Sequence, residues 1–276
     1  GDGVTQDKAE AVKLYRLAAE QGHPIAQFYL GYMYDDGQGV AQNYDEAMKW
    51  YRLAAEQGDA KAQNNLGAMY NDGEGVANDK AEAVKWYTKA AEQGDADAQV
   101  NLGLMYDTGK GVQKNYYEAV KWYRLAAEQG YAKAQTGLGY MYDTGQGVKR
   151  NKAEAKYWLT LAAKQGDANA QTGIGYMYNT GQGVAQDKAE AVKLYRLAAE
   201  QGHATAQFNL GQMYYNGEGV KQNYAEAVKL FRLAAEQGYV KAQYNLGVMY
   251  YNGEGVAQDK AKAVKLYRLA AEQGYV

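Results

Sequence analysis

The chain has 276 residues, with 30 lysines and arginines against 32 aspartates and glutamates, for a net charge of −2. That near balance argues against a nucleic-acid binder, which would show a basic face, and 47 % hydrophobic with 22 % charged residues argues against a disordered chain. Cysteine and serine are both missing, which removes disulfides, thiolate zinc sites and the two commonest side-chain nucleophiles.

The chain opens at Gly1 without methionine or an apolar leader, so it reads as a processed or trimmed product whose targeting signal lies out of view. No apolar run approaches the roughly 20 residues that span a bilayer, so no membrane insertion is expected. The motif Gly-x-Gly-Val begins at Gly1 and returns at Gly37, Gly73, Gly109, Gly145, Gly181, Gly217 and Gly253, each time 36 residues on. Repeats therefore start at these eight positions, the last one partial, and residues 1–276 are expected to form a single repeat domain. Four glycines per repeat at fixed phase, with Gly137 and Gly173, account for all 33. Glycine is punctuation here. No strand precedes the motif, so it is no dinucleotide loop.

Within residues 37–72, Asn43 is a good N-cap and Glu46 three residues later completes a capping box. The box recurs at Asp79 with Glu82, Asn115 with Glu118, Asn151 with Glu154, Asp187 with Glu190, and Asn223 with Glu226. A charged helix then runs over Tyr44 to Gln57 and stops at Gly58. A two-residue link leads into a second, glycine-bearing helix over Ala60 to Asn71, which Gly73 ends. Links this short force antiparallel neighbours, so the unit is an αα-hairpin. Eight charged and seven glycine-bearing helices are expected, stacked as an all-α solenoid.

The segment Ala-Gln-Asn-Asn-Leu-Gly-Ala-Met-Tyr-Asn-Asp-Gly-Glu-Gly-Val, with Lys-Ala-Glu-Ala-Val-Lys-Trp-Tyr and Ala-Ala-Glu-Gln-Gly, resembles the Sel1-like repeat family, a relative of the tetratricopeptide repeat. The resemblance covers the whole chain. It implies a curved right-handed superhelix whose concave face is lined by the glycine-bearing helices, and a role as an adaptor that assembles protein complexes. It also implies a bacterial source and, for many members, export, so an exported or periplasmic location is carried as an expectation beside the cytoplasm. A cysteine-rich branch linked to β-lactam binding does not transfer, because this chain has no cysteine.

Comparison between repeats separates the faces. In the glycine-bearing helix Ala62, Gln63, Leu66, Gly67, Met69 and Tyr70 keep their identities and fill an arc of about 160°. That arc is the packing face. The opposite arc varies, and it is where a partner is expected. Its candidate residues are Phe28, Tyr32 and Asp35 in the first repeat, then Leu104, Asp107, Tyr140, Asp143 and Tyr176, then Phe208, Gln212, Tyr215, Tyr244, Val248 and Tyr251. Aromatics on a groove are expected to be covered by a ligand, the alternative being that they stack on one another across repeats. On the charged helix, Trp50, Trp86, Trp122 and Trp158 exchange with leucine at one phase, as core residues do. The leucines at Leu17, Leu53, Leu125, Leu161, Leu197, Leu233 and Leu269 lie nearer the charged side, and either pack on the next hairpin or form a second contact strip. His23 and His203 share a repeat phase in a link and read as helix caps, not metal ligands.

These features point to a non-enzymatic scaffold that binds a protein or peptide along the groove, with no cofactor and no metal; a glycan or cell-wall fragment is the alternative ligand. Gly1 follows a missing glycine-bearing helix and Val276 precedes one. Both ends are therefore expected to expose apolar edges, as in a fragment of a longer array or a chain that associates end to end.

Overall fold

The computed structural model describes residues 7–275. Among the described residues there are fifteen α-helices, each of 13 residues, and no strand. The chain divides into two compact units, Gly1–Ala134 with Gln146–Lys149, and Gln135–Gly145 with Arg150–Val276. The first carries α1 (Lys8–Glu20), α2 (Pro24–Asp36), α3 (Tyr44–Glu56), α4 (Ala60–Asp72), α5 (Lys80–Glu92), α6 (Ala96–Thr108) and α7 (Tyr116–Glu128). Most of α8 (Ala132–Thr144) belongs to the second, followed by α9 (Lys152–Lys164), α10 (Ala168–Thr180), α11 (Lys188–Glu200), α12 (Ala204–Asn216), α13 (Tyr224–Glu236), α14 (Val240–Asn252) and α15 (Lys260–Glu272). Odd-numbered helices are the charged ones and even-numbered helices bear the glycine, eight and seven as the repeat predicts.

The caps form, but not as closed boxes. The Asn43 side chain accepts from the Glu46 N–H at 3.1 Å, as an N-cap should. Its own N–H donates elsewhere, to the Tyr34 carbonyl at 2.9 Å. The Glu46 carboxylate, freed from the box, accepts from Trp50 Nε1 at 3.0 Å. The same main-chain tie joins Asp79 to Tyr70, Asn115 to Tyr106, Asp187 to Tyr178 and Asp259 to Tyr250, each at 2.9 Å. The expected reciprocal box therefore gives way to a bond that fastens the loop to the end of the preceding even helix. Asp259 caps α15 with Lys262 at the glutamate's place, so the cap does not need the glutamate.

Within each unit the more extensive joint lies across the Gly-x-Gly loop, between an even helix and the odd helix after it, rather than across the two-residue link. Gly67 explains it. A Cβ at this position would lie 2.8 Å from the Tyr87 ring, so only glycine lets the ring rest on the α4 backbone. Gly31 meets Tyr51 in the same way, Gly103 meets Tyr123, Gly175 meets Tyr195 and Gly211 meets Phe231. Gly75, in the loop, has φ +67 and lies so close to the Tyr44 carbonyl that a Cβ would come within 2.7 Å of it. It seats the loop against the start of the previous odd helix.

Around these contacts the core is small and periodic. Ala62, Leu66 and Met69 of α4 and Ala47, Tyr51 and Ala54 of α3 are buried, as the fixed arcs require. Trp50, Trp86 and Trp122 are buried and Trp158 half-buried, in line with their reading as core. The recurring tyrosine hydroxyls find guanidinium donors on the preceding odd helix: Arg52 donates to Tyr70 at 2.8 Å, Arg196 to Tyr214 at 2.9 Å and Arg232 to Tyr250 at 3.0 Å. The leucine row resolves toward solvent, with Leu17, Leu53, Leu125, Leu197, Leu233 and Leu269 exposed. At the described ends, helix faces that are covered elsewhere lie open: Val264 of α15 is 49 % exposed where its equivalent Val228 is 4 %.

A ladder of glutamines joins successive repeats, and the sequence reading missed half of it. Gln63 Nε2 donates to the Ala55 carbonyl at 3.0 Å, and its Oε1 accepts from Gln93 Nε2 at 2.8 Å. Gln27 with Gln57, Gln99 with Gln129, Gln171 with Gln201, Gln207 with Gln237, and Gln243 with Gln273 repeat the second bond. The even-helix glutamines are buried, so each bond removes the desolvation cost of an amide that would otherwise be unpaired. The signal was the fixed Gln-Gly that follows every odd helix.

An exposed helical glycine gains about 1 kcal/mol of stability on change to alanine. At Gly67 the sign should reverse. Gly67→Ala is expected to lose about 1–3 kcal/mol, the usual cost of overpacking, measured by urea unfolding.

Candidate functional site

The variable arc of the even helices carries the candidate residues, and the two units present it differently. In the first unit Tyr29 and Tyr32 of α2 and Leu104 of α6 are exposed. Phe28 is half-buried, edge-on to Tyr29 at 5.2 Å and 5.9 Å from the Tyr51 ring. Asp35 accepts from the Tyr51 hydroxyl at 3.1 Å. Burial raises the Asp35 carboxyl above its ordinary range, against the opposing effect of that hydrogen bond. Asp107 is raised for the same reason, with Lys114 opposing. Asp36 adds to the rise at Asp35, and each carboxylate faces a buried tyrosine, Tyr51 or Tyr123.

In the second unit Tyr140 is exposed on α8 while its hydroxyl donates to the Asn169 carbonyl at 2.9 Å. Burial of that hydroxyl, helped by Asp167 and Asp143, pushes it up to about 12. Asp143 pairs with Lys152. Tyr176, Tyr244 and Tyr251 are exposed, and Gln212, Tyr215 and Val248 are half-buried. The Tyr215 hydroxyl donates to Glu254 at 3.1 Å. Phe208 departs from the expected exposure. It is 8 % exposed, with its ring 5.7 Å from Phe231 and 5.1 Å from Tyr239. A phenyl ring at this phase reaches the seam between α12 and α13 and enters the core.

The candidates gather best on this second unit. Tyr176, Phe208 and Gln212 line a hollow of ≈ 330 Å³ together with Asn179, Asn209, Asn216 and Asn245. Gln212, Tyr215, Tyr244 and Val248 line an adjoining one of ≈ 250 Å³, which shares Asn216 and Asn245. Tyr140, Asp143 and Tyr251 lie outside both. Sequence reasoning named the aromatics with Gln212 and placed Asn179 on the variable arc, and missed Asn209, Asn216 and Asn245.

The two histidines part company. His203 caps α12, its Nδ1 accepting from the Ala206 N–H at 3.3 Å, with Thr172 Oγ1 3.0 Å from the same nitrogen and Asn169 Oδ1 3.0 Å from Nε2. His23 precedes α2 without any side-chain cap bond, so the cap expected there is not formed; Pro24 starts that helix instead. Among the described residues no group of three or more histidine, aspartate or glutamate side chains is placed to hold a metal ion. Nor is any of the described helices long and apolar enough to cross a membrane.

Burial lowers the His203 pKa below its ordinary value of 6.5, with Asp167 opposing. A base with a depressed folded-state pKa binds fewer protons when folded, so its contribution to stability is present above the ordinary value and is lost as pH falls through the folded one. His203→Asn keeps a capping oxygen and does not titrate. The wild type is expected to lose more melting temperature than His203→Asn between pH 7.5 and pH 5, about the range of an unperturbed histidine; equal losses would refute this.

The Sel1 repeat pattern matches in eight consecutive segments, residues 1–23, 24–59, 60–95, 96–131, 132–167, 168–203, 204–239 and 240–275. These begin at the even helices, so the partial segment falls at the start, and each full one spans the joint that glycine closes. No curated protein matches the chain. Among solved structures, a protective antigen of uropathogenic Escherichia coli with an SLR fold is 43 % identical with a TM-score of 0.83, over 96 % of this chain and 56 % of that one. The chain thus spans little more than half the length of that relative. A Sel1 repeat protein from Oxalobacter formigenes is 37 % identical with a TM-score of 0.76, over 99 % and 79 % of the two chains. An immunity protein from Pseudomonas aeruginosa is 25 % identical, TM-score 0.51, over 77 % and 81 %. With all eight segments matched and the helix order reproduced among the described residues, the chain belongs to the Sel1 repeat family.

Proposed function

We propose that this protein is a non-enzymatic scaffold that binds a protein or peptide segment along the variable arc of its even-numbered helices. The observation that carries this reading is the placement of Tyr32, Leu104, Tyr140, Tyr176, Tyr244 and Tyr251, all exposed on that arc. The fixed arc supplies the alanine, leucine and methionine core, so the residue type on the variable arc is not dictated by it. Exposed aromatics at recurring phases offer the large, rigid contact area that binding hot spots use. Membership of a solenoid family whose modules typically bind proteins supports the same reading.

A photo-crosslinking side chain placed at Tyr176 or Tyr251 is expected to capture a protein from an extract of the source organism, while the same group at Leu197 on α11 captures none. A variant carrying Tyr176→Ala, Tyr244→Ala and Tyr251→Ala should retain that protein about tenfold more weakly, as loss of hot-spot side chains implies. Capture from Leu197 alone would move the binding surface to the odd helices and overturn the reading.

A further inference from the structure

We propose that the amide-lined hollow over α10, α12 and α14 holds the main chain of an extended, uncharged peptide segment. This rests on the reading of the even-helix arc as a protein-binding surface, and it adds what that surface recognises.

The first argument is an orphan acceptor. Asn179 lines the hollow, and its Oδ1 is shut off from solvent with no hydrogen-bond partner. At the equivalent place in the first repeat Asp35 accepts from Tyr51, so the position is satisfied from inside where it can be. An unsatisfied buried acceptor is costly, and a turn of the Asn179 side chain toward an incoming N–H would recover that cost.

The second argument is a contrast between the units. In the first, the asparagines bond to their neighbours: Asn101 Nδ2 donates to Asn64 Oδ1 at 3.0 Å, and Asn71 to Asp72 at 2.8 Å. In the second, Asn209, Gln212, Asn216 and Asn245 line the hollow and engage no other side chain among the described residues. Each amide offers a donor and an acceptor together. A peptide main chain presents the same pair at every residue, about 3.3 Å apart when extended. Gln212, Asn216 and Asn245 are shared with the adjoining hollow, so the amides continue from one into the next.

Charge and ring geometry narrow the occupant. The charged lining residues are Lys241 and Glu218, one of each sign, and Glu218 already pairs with Lys188 at 3.1 Å. A glycan would need an open ring face to stack on. Tyr244 is flanked by Tyr267 at 5.6 Å and Tyr275 at 5.3 Å, and Tyr215 has Tyr224 at 5.2 Å. Of the exposed rings in the lining Tyr176 has no ring neighbour among the described residues, against the side-chain amides of Asn179, Asn209, Gln212, Asn216 and Asn245, so hydrogen bonding outweighs stacking and favours a main chain.

The test selects binders to the intact protein from a displayed library of random linear peptides and titrates a selected peptide by fluorescence anisotropy. Asn209→Ala with Asn245→Ala is expected to weaken binding about tenfold or more, and N-methylation of the peptide backbone to do the same, since each removes hydrogen bonds made in a shielded site. Alanine replacement of the peptide's side chains should cost less than about threefold per position, as near-neutral contacts do. The side-chain amide resonances of Asn209, Gln212, Asn216 and Asn245 in the unmodified protein should shift on titration, which reads the same contact without a variant. Binding that ignores the double substitution and leaves those resonances still would overturn this site while leaving the scaffold reading in place. Tolerance of N-methylation would overturn main-chain recognition. Failure to select any peptide would overturn the proposal, and a chito-oligosaccharide bound by the intact protein and lost by the double variant would overturn it together with the scaffold reading.

Discussion

The architecture depends on one close approach, the seating of a large side chain of an odd helix, an aromatic ring everywhere but at Leu159 of α9, against a bare glycine of the even helix before it. Gly67 under Tyr87 is the pattern, and Gly31, Gly103, Gly175, Gly211 and Gly247 repeat it. A ring at van der Waals distance from a backbone leaves little freedom in the separation or rotation of the two helices. That contact fixes which side of the even helix faces the next repeat. The opposite side is thereby released from packing, and its chemistry becomes free to differ from repeat to repeat.

What the chain does with that freedom differs between the two units. In the first, acidic and amide groups turn inward and find partners, as Asp35 does with Tyr51 and Asn101 with Asn64. In the second, the equivalent positions hold Asn179, Asn209 and Asn245 around a hollow. The fold is therefore uniform while the surface it displays is not, which is how a repetitive scaffold acquires a local site.

Most of the fold was legible because punctuation and packing leave strong periodic marks. The N-cap at Asn43, the stop at Gly58 and the six-residue signature Ala62, Gln63, Leu66, Gly67, Met69 and Tyr70 each have a local physical cause that a sequence exposes. The failures came where a side chain had two partners to choose between. Glu46 read as the second half of a capping box because nothing in the sequence says that the Asn43 N–H is already engaged by the Tyr34 carbonyl. Phe208 read as a groove residue because helical phase does not separate an exposed ring from one that tilts into the adjoining seam. The Gln63 to Gln93 bond joins residues 30 positions apart, beyond any local rule, and only the constancy of both glutamines hinted at it. Asn209, Asn216 and Asn245 were passed over because asparagine on a solvated helix ordinarily means nothing.

The glutamine ladder has an evolutionary consequence. Every rung uses the same donor and the same acceptor, so a rung carries no memory of which two repeats it joins. Excising or duplicating one 36-residue period inside a unit would bring equivalent atoms back together and regenerate the seam. Such an array has no preferred number of units, and unequal recombination can lengthen or shorten it without inventing a new interface. The identity of α1 and α11, the same 13 residues at Lys8–Glu20 and Lys188–Glu200, is the kind of trace that copying whole periods leaves in a gene.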